Sequence, residues 1–203
     1  MSKSKGNVVT PQNLIEETFS SSNIKYNIHF VHPITSIYFR AVLEQNIINK
    51  DYFEFSKYPL VEKNIISDFK YNGKELTKDE SIIKNIKMVL NGQQLSNIDN
   101  HIFFNYLQKD LYFNGRGNPF IYNYSFSINP LDDTQPYGSL NFSKLDDSYL
   151  QLSLDGVVDY QNPVRIRGYA INYNIFRIIN GIGQFVFSNW SDLFFYLFSY
   201  INS

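Results

Sequence analysis

The stretch IYNYSFSIN, residues 121–129, alternates without a break. Tyr122, Tyr124, Phe126 and Ile128 fall on one side; Asn123, Ser125, Ser127 and Asn129 fall on the other. A period of two is the signature of a β-strand, and this one reads as having an apolar face and a wet face. The same rhythm recurs on both sides of it. In YLQLSLD, Leu150, Leu152 and Leu154 alternate with Gln151, Ser153 and Asp155. IKYNIHF groups Ile24, Tyr26, Ile28 and Phe30, and SIYFRAVL groups Ile37, Phe39, Ala41 and Leu43. VRIRGYAINYNI, residues 164–175, is different. Val164 and Ile166 sit at even positions, whereas Tyr169, Ile171, Tyr173 and Ile175 are odd. One extra residue flips side-chain parity, so this phase slip predicts a β-bulge and a bend at Gly168.

Turn signals separate these runs. Pro33 predicts a kink or an edge position. Asn72-Gly73 and Asn91-Gly92 predict tight turns. Asn114–Phe120 reads as a loop, and residues 129–141 as a long connection punctuated by Pro130, Pro136 and Gly138. A short helix is expected around Ser139–Lys144, and another helical turn within IFFNYLQKDLYF, residues 102–113. Many strands, long loops and little helix predict an all-β fold: a jelly-roll β-sandwich with short helical segments in its long loops.

The bulk chemistry narrows the function. The 203 residues fit one domain of ordinary size, with residues 1–12 expected as a flexible N-terminal arm and 13–203 as a single jelly roll. Tyr (16) and Phe (18) are abundant, as suits pleated, half-buried surfaces. A net charge of −1 without a basic block argues against direct nucleic-acid binding. The absence of cysteine excludes a disulfide scaffold, a thiolate metal site and a cysteine nucleophile. The apolar run at residues 193–201 is far shorter than the ~20 residues of a membrane-spanning helix.

Individual motifs add little chemistry. MSKSKGNVV resembles part of the ATP-handling loop of class I aminoacyl-tRNA synthetases. Its partner His-Ile-Gly-His-type signature is missing, since His101-Ile102-Phe103-Phe104 lacks the glycine and the second histidine. Lys3 and Lys5 are therefore expected on a solvated chain end. His29, His32 and His101 do not form a ligand set with metal-site spacing. Asp132-Asp133 and Asp146-Asp147 lack the alternation of a calcium loop and read as turn formers. Arg165 and Arg167 share a strand face, which reads as solvated by default, with pairing to acids across a sheet or an interface as the alternative. Asn123, Asn141 and Asn189 lie in Asn-x-Ser sequons. Neither a nucleophile elbow nor a phosphate-binding loop occurs, so neither an enzyme nor a bound cofactor is expected. A glycan-binding β-sandwich is the alternative to a structural role, and a synthetase fragment comes third.

A resemblance carries the reading further. Tyr124-Ser125-Phe126-Ser127, Asn129-Pro130, Gln135-Pro136-Tyr137-Gly138 and Asn141-Phe142-Ser143-Lys144-Leu145-Asp146 resemble, in that order, the major capsid proteins of nucleocytoplasmic large DNA viruses. His32-Pro33 resembles a motif of an upstream strand in that family, although Ser36 stands at its acidic position. Residues 169–189 resemble its C-terminal run through Tyr169, Asn172, Tyr173, Asn174, Arg177, Gly181 and Gly183. Lys144 replaces the usual arginine, which keeps the charge but loses the guanidinium fork. The resemblance implies the second jelly roll of a double jelly-roll protein, the first being absent from this sequence. It implies a structural protein of the virion capsid, assembled in the host cytoplasm. The subunit would form a trimeric, pseudo-hexameric capsomer and contact other capsid subunits, among them a first jelly roll on a separate chain. Exposed aromatics are the expected anchors.

Overall fold

The computed structural model describes residues 3–8, 14–57, 81–95, 99–115, 118, 120–132, 134–179 and 181–185. Among the described residues, eleven strands build two antiparallel sheets, of seven and four strands. In one, β2 (Leu14–Phe19), β10 (Val164–Ile179), β4 (Pro33–Leu43) and β7 (Ile121–Ser125) lie in the order β2-β10-β4-β7. In the other, the order is β3 (Asn23–Asn27), β9 (Ser148–Leu154), β5 (Ile83–Leu90), β6 (Gln93–Gln94). The chain passes back and forth between sheets, so sequence neighbours such as β2, β3 and β4 are not sheet neighbours. This is the connectivity of a jelly roll.

The apolar sets read from the alternation meet between the sheets. Ile24, Tyr26, Ile28 and Phe30 face Ile37, Phe39 and Ala41, with Leu150, Leu152 and Leu154 completing the core. Burying each such side chain contributes about 1.5–3 kcal/mol. Asn91 and Gly92 both have positive φ, 50° and 75°, and join β5 to β6 as the tight turn expected of Asn-Gly. Asn72-Gly73 lies outside the described residues.

Four expectations need correcting. The first is the bulge at Gly168. Even positions from Val164 to Asn174 stay inward through the glycine, and the register with β4 runs unbroken from Val164↔Leu43 to Ile171↔Ser36. The irregularity falls one step later, where Asn172 pairs with Ile34 and Thr35 of β4 is left over. Thr35 spends its hydroxyl on the Ile171 carbonyl at 3.1 Å. The odd-numbered aromatics of β10 lie on the sheet's half-exposed outer face, which is why they mimic a change of phase.

The second concerns the supposed wet face of residues 121–129. Asn123, Ser125 and Ser127 are buried, while Ile128 is exposed. β7 ends its sheet, and a helical segment covers that edge. It comprises a π-helical stretch, Phe103–Leu107, running into α2 (Gln108–Tyr112). Gln108 Oε1 accepts the Ser125 amide at 3.1 Å, and Phe104 enters the core against Phe39. A sheet edge covered in this way offers no template for another strand.

The third concerns the N-terminal arm. Lys3–Val8 forms strand β1, antiparallel to β10 from Lys3↔Arg177 to Val8↔Asn172. β4 stops pairing at Asn172 and β2 begins opposite Tyr169, so the far half of β10 leaves backbone groups that β1 takes up. On its other side, β10 turns back into β11 (Ile182–Phe185). The fourth is local: a two-residue strand, β8 (Leu140–Asn141), precedes the helix expected near 139–144, which is a 3-10 turn at Phe142–Lys144. The short α1 (Glu44–Ile48) follows β4.

Candidate functional site

The motif residues around His32-Pro33 and Asn141–Ser143 form a clamp. His32 has a φ of 72°, a left-handed conformation that turns the chain sharply into Pro33, the first residue of β4. Its amide donates to Ser143 Oγ at 2.8 Å and its carbonyl accepts the Phe142 amide at 3.1 Å. Pro33 pairs with Asn141, whose Oδ1 accepts the Ser143 amide at 3.1 Å. Phe142 is buried edge-on against Phe30 and Phe126, with ring centroids 5.8 and 5.6 Å away. Burial also lowers the His32 imidazole pKa.

The rest of the long connection is pinned to the same end. Gly138 has a φ of 116°, and a β-carbon there would lie 3.2 Å from the Phe126 carbonyl oxygen. The Tyr137 amide donates to Tyr173 Oη at 3.3 Å, and Gln135 Nε2 donates to Tyr137 Oη at 2.8 Å, with Pro136 exposed between them. The Asp146 amide donates to Asn91 Oδ1, tying the clamp to the β5–β6 turn. Tyr169 stands on the outer face, whereas Asn172 and Asn174 point inward and are buried. Arg177, Gly181 and Gly183 belong to the β10–β11 hairpin, which they share with no clamp residue. Gly181 turns it with a φ of 82°, and a β-carbon on Gly183 would overlap the Phe176 ring. These residues position backbone and none is arranged for catalysis.

The outer face of β4 and β10 carries charge. Arg165 binds Glu44 through two nitrogens, at 3.1 and 2.5 Å, and Glu16 at 3.3 Å. Arg167 pairs with the same Glu16. These ion pairs run from β10 to β2 and to α1, in place of the solvated face that is the default reading of the sequence. Arg40 had no signal in the sequence, yet it lines a cavity of about 120 Å³ with Val42, Ile47, Tyr52, Arg165 and Arg167.

Lys109 was likewise not anticipated. It is buried, donating to Asn105 Oδ1 at 2.8 Å and to the Asn118 carbonyl at 2.5 Å, and burial pushes its ammonium pKa down to about 8. Asn123 is 1% exposed, so its sequon is closed to glycosylation in the folded protein; Asn141 is half-buried and engaged, and Asn189 lies outside the described residues. Among the described residues, no group of three His, Asp or Glu could hold a metal. Asp132 makes the expected turn, accepting the Thr134 amide and hydroxyl at 2.8 and 2.6 Å. Apolar side chains reach solvent at both ends of β10: Ile48, Phe53 and Tyr160 at one, Ile178, Ile182 and Phe185 at the other. The aromatic tail, 190–203, lies outside the described residues.

The chain is similar to known proteins. A profile of the family described as "Large eukaryotic DNA virus major capsid protein" matches residues 7–184. The major capsid protein of Phaeocystis pouchetii virus is 36% identical over 104 residues, covering 51% of this chain and 20% of that protein. That of Chrysochromulina ericina virus is 34% identical over 111 residues, 54% of this chain and 19% of that protein. A chain of the PBCV-1 virus capsid superposes with a TM-score of 0.67 at 18% identity, over 93% of this chain and 52% of that one. This chain thus spans about half the length of that solved neighbour, and the aligned stretches are about a fifth of the two curated relatives.

Proposed function

Since the chain belongs to the large eukaryotic DNA virus major capsid protein family, we propose that it is a structural subunit of an icosahedral virion shell, built into trimeric, pseudo-hexameric capsomers. The family match from residue 7 to residue 184 carries this reading, because it spans every described strand of the jelly roll except the first residues of β1 and the last residue of β11. The clamp supports it. Motif residues spent on fixing loops to strand ends suit a rigid building block, which needs no acid, base or nucleophile. In this reading the chain supplies one jelly roll of a capsomer subunit, and a first jelly roll, on the same polypeptide or another, supplies the second. Assembly takes place in the host cytoplasm.

Size-exclusion chromatography with light scattering, on the full chain at graded concentrations, tests the assembly. A trimer or larger closed species is expected. A species that stays monomeric at every concentration and binds sugars on a glycan array overturns the reading in favour of a glycan-binding module.

A further inference from the structure

Three arginines crowd the outer face of β4 and β10. Arg40 lies directly opposite Arg167, and Arg165 lies opposite Val42, two residues along the same face. Like charges facing each other across an antiparallel pair are destabilising, so this arrangement needs compensation. Two carboxylates supply part of it. Glu44 is committed to Arg165, and Glu16 is shared between Arg165 and Arg167. Three guanidinium groups against two carboxylates leave one positive charge over.

That charge sits on Arg40. No carboxylate pairs with it among the described residues. One nitrogen donates to the Tyr52 carbonyl at 3.2 Å, and the guanidinium stacks over the Phe55 ring at 4.6 Å. Neither contact neutralises a charge. Among the described residues, the cavity beside it, about 120 Å³, has Arg40, Arg165 and Arg167 as its charged lining groups. A single water needs only about 10–15 Å³ of such space, so there is room for an ion of several heavy atoms. Val42, Ile47 and Tyr52 form the rest of its described wall.

We propose that this pocket binds a small phosphate-like oxyanion, held chiefly by Arg40 with Arg165 and Arg167 beside it. Guanidinium forks match the oxygens of phosphate in pairs, a geometry that lysine does not offer. The bound anion supplies the missing negative charge between Arg40 and Arg167. Burial is the main influence lowering the Arg40 pKa; repulsion from Arg167 adds to it, while Tyr169 and the more distant Glu16 carboxylate act against it. The site stands apart from the clamp and does not depend on the capsid reading.

The test is thermal unfolding of the full chain in graded inorganic phosphate, against sodium chloride of equal ionic strength. A ligand that binds only the folded state raises Tm along a saturating curve. The wild type is expected to show that curve. Arg40→Gln is expected to lose it, and Arg40→Lys, which keeps the charge without the fork, to bind about tenfold more weakly. Should either variant fold poorly, the arginine Nε–Hε resonances of the wild type decide the matter. Phosphate is expected to shift those of Arg40, Arg165 and Arg167 and to leave that of Arg177 in place. Equal Tm rises in wild type and Arg40→Gln, no rise beyond that in chloride, or shifts spread over all arginines overturn the proposal.

Discussion

Gly168 lies where β10 passes closest to the buried Tyr26 ring of β3. The glycine is required because a β-carbon there would lie 2.6 Å from Tyr26 Oη and 3.3 Å from Tyr26 Cε1. That hydroxyl donates to the Ile15 carbonyl at 2.8 Å, bracing β2 against the core residue of β3. Nothing near residue 168 in the sequence points to residue 26, so the local reading settled on a bulge. Gly168→Ala is expected to cost about 1–3 kcal/mol by overpacking. In a Tyr26→Phe background the closest atom is gone and the same substitution is expected to cost less, a coupling that a double-mutant cycle in urea measures. Equal cost in both backgrounds removes the close approach as the reason for the glycine. Lys109 yields a second prediction at this scale. Its folded pKa of about 8 lies below the unfolded value of 10.5, so between those values the unfolded chain binds more protons. Stability from this group therefore rises as pH climbs from about 8 to 10.5. Relative to Lys109→Met, which cancels the ionisation of the tyrosines, the wild type is expected to gain stability across that window, on the order of 1–3 kcal/mol. A difference that stays flat with pH contradicts a depressed Lys109.

At the scale of elements, strand positions were legible because the core selects one face of each strand, and selection leaves a period of two. Leu150, Leu152 and Leu154 illustrate it: all three are buried, as alternation required. What the pattern could not give was the environment of the opposite face. Asn123 and Ser125 look like solvent-facing residues, yet a segment 15 to 20 residues earlier covers their edge. Strand β1 was hidden for a related reason: its pairing uses backbone groups of β10, which leave no trace in side-chain identity. The motif residues were legible as a set, but their joint role appears only where His32 meets Ser143 across 111 residues. Ser143→Ala removes the acceptor of the His32 amide. The expected cost is about 0.5–1.5 kcal/mol. The sharper readout is local, since the His32 and Phe142 amides should lose hydrogen-exchange protection while Leu152 keeps its own. Unchanged protection at His32 rules out the Ser143 contact as the lock on that turn.

For the whole molecule, the relevant feature is where apolar surface remains after the core is filled. β10 has 16 residues, so its ends lie about 50 Å apart along the strand at ~3.3 Å per residue. Phe53 is 86% exposed near the start of β10, on the loop after α1, and Ile182 is 71% exposed beyond its end, in the β10–β11 hairpin. Apolar groups at two well-separated ends suit a block that meets different neighbours on different sides, whereas a single ligand site would gather them together. Neither side chain contributes much to the fold at that exposure, so Phe53→Ser and Ile182→Ser are each expected to change unfolding free energy by no more than about 0.5 kcal/mol. An apolar anchor at the centre of an interface, by contrast, is worth about 2 kcal/mol or more, a factor of about 30 in association. In the proposed assembly, light scattering over a concentration series should therefore show each variant dissociating at protein concentrations where the wild type stays assembled. Retention of the wild-type mass by both variants excludes these two ends as the contacts. A loss confined to one of them identifies which end of β10 makes the contact in the proposed assembly.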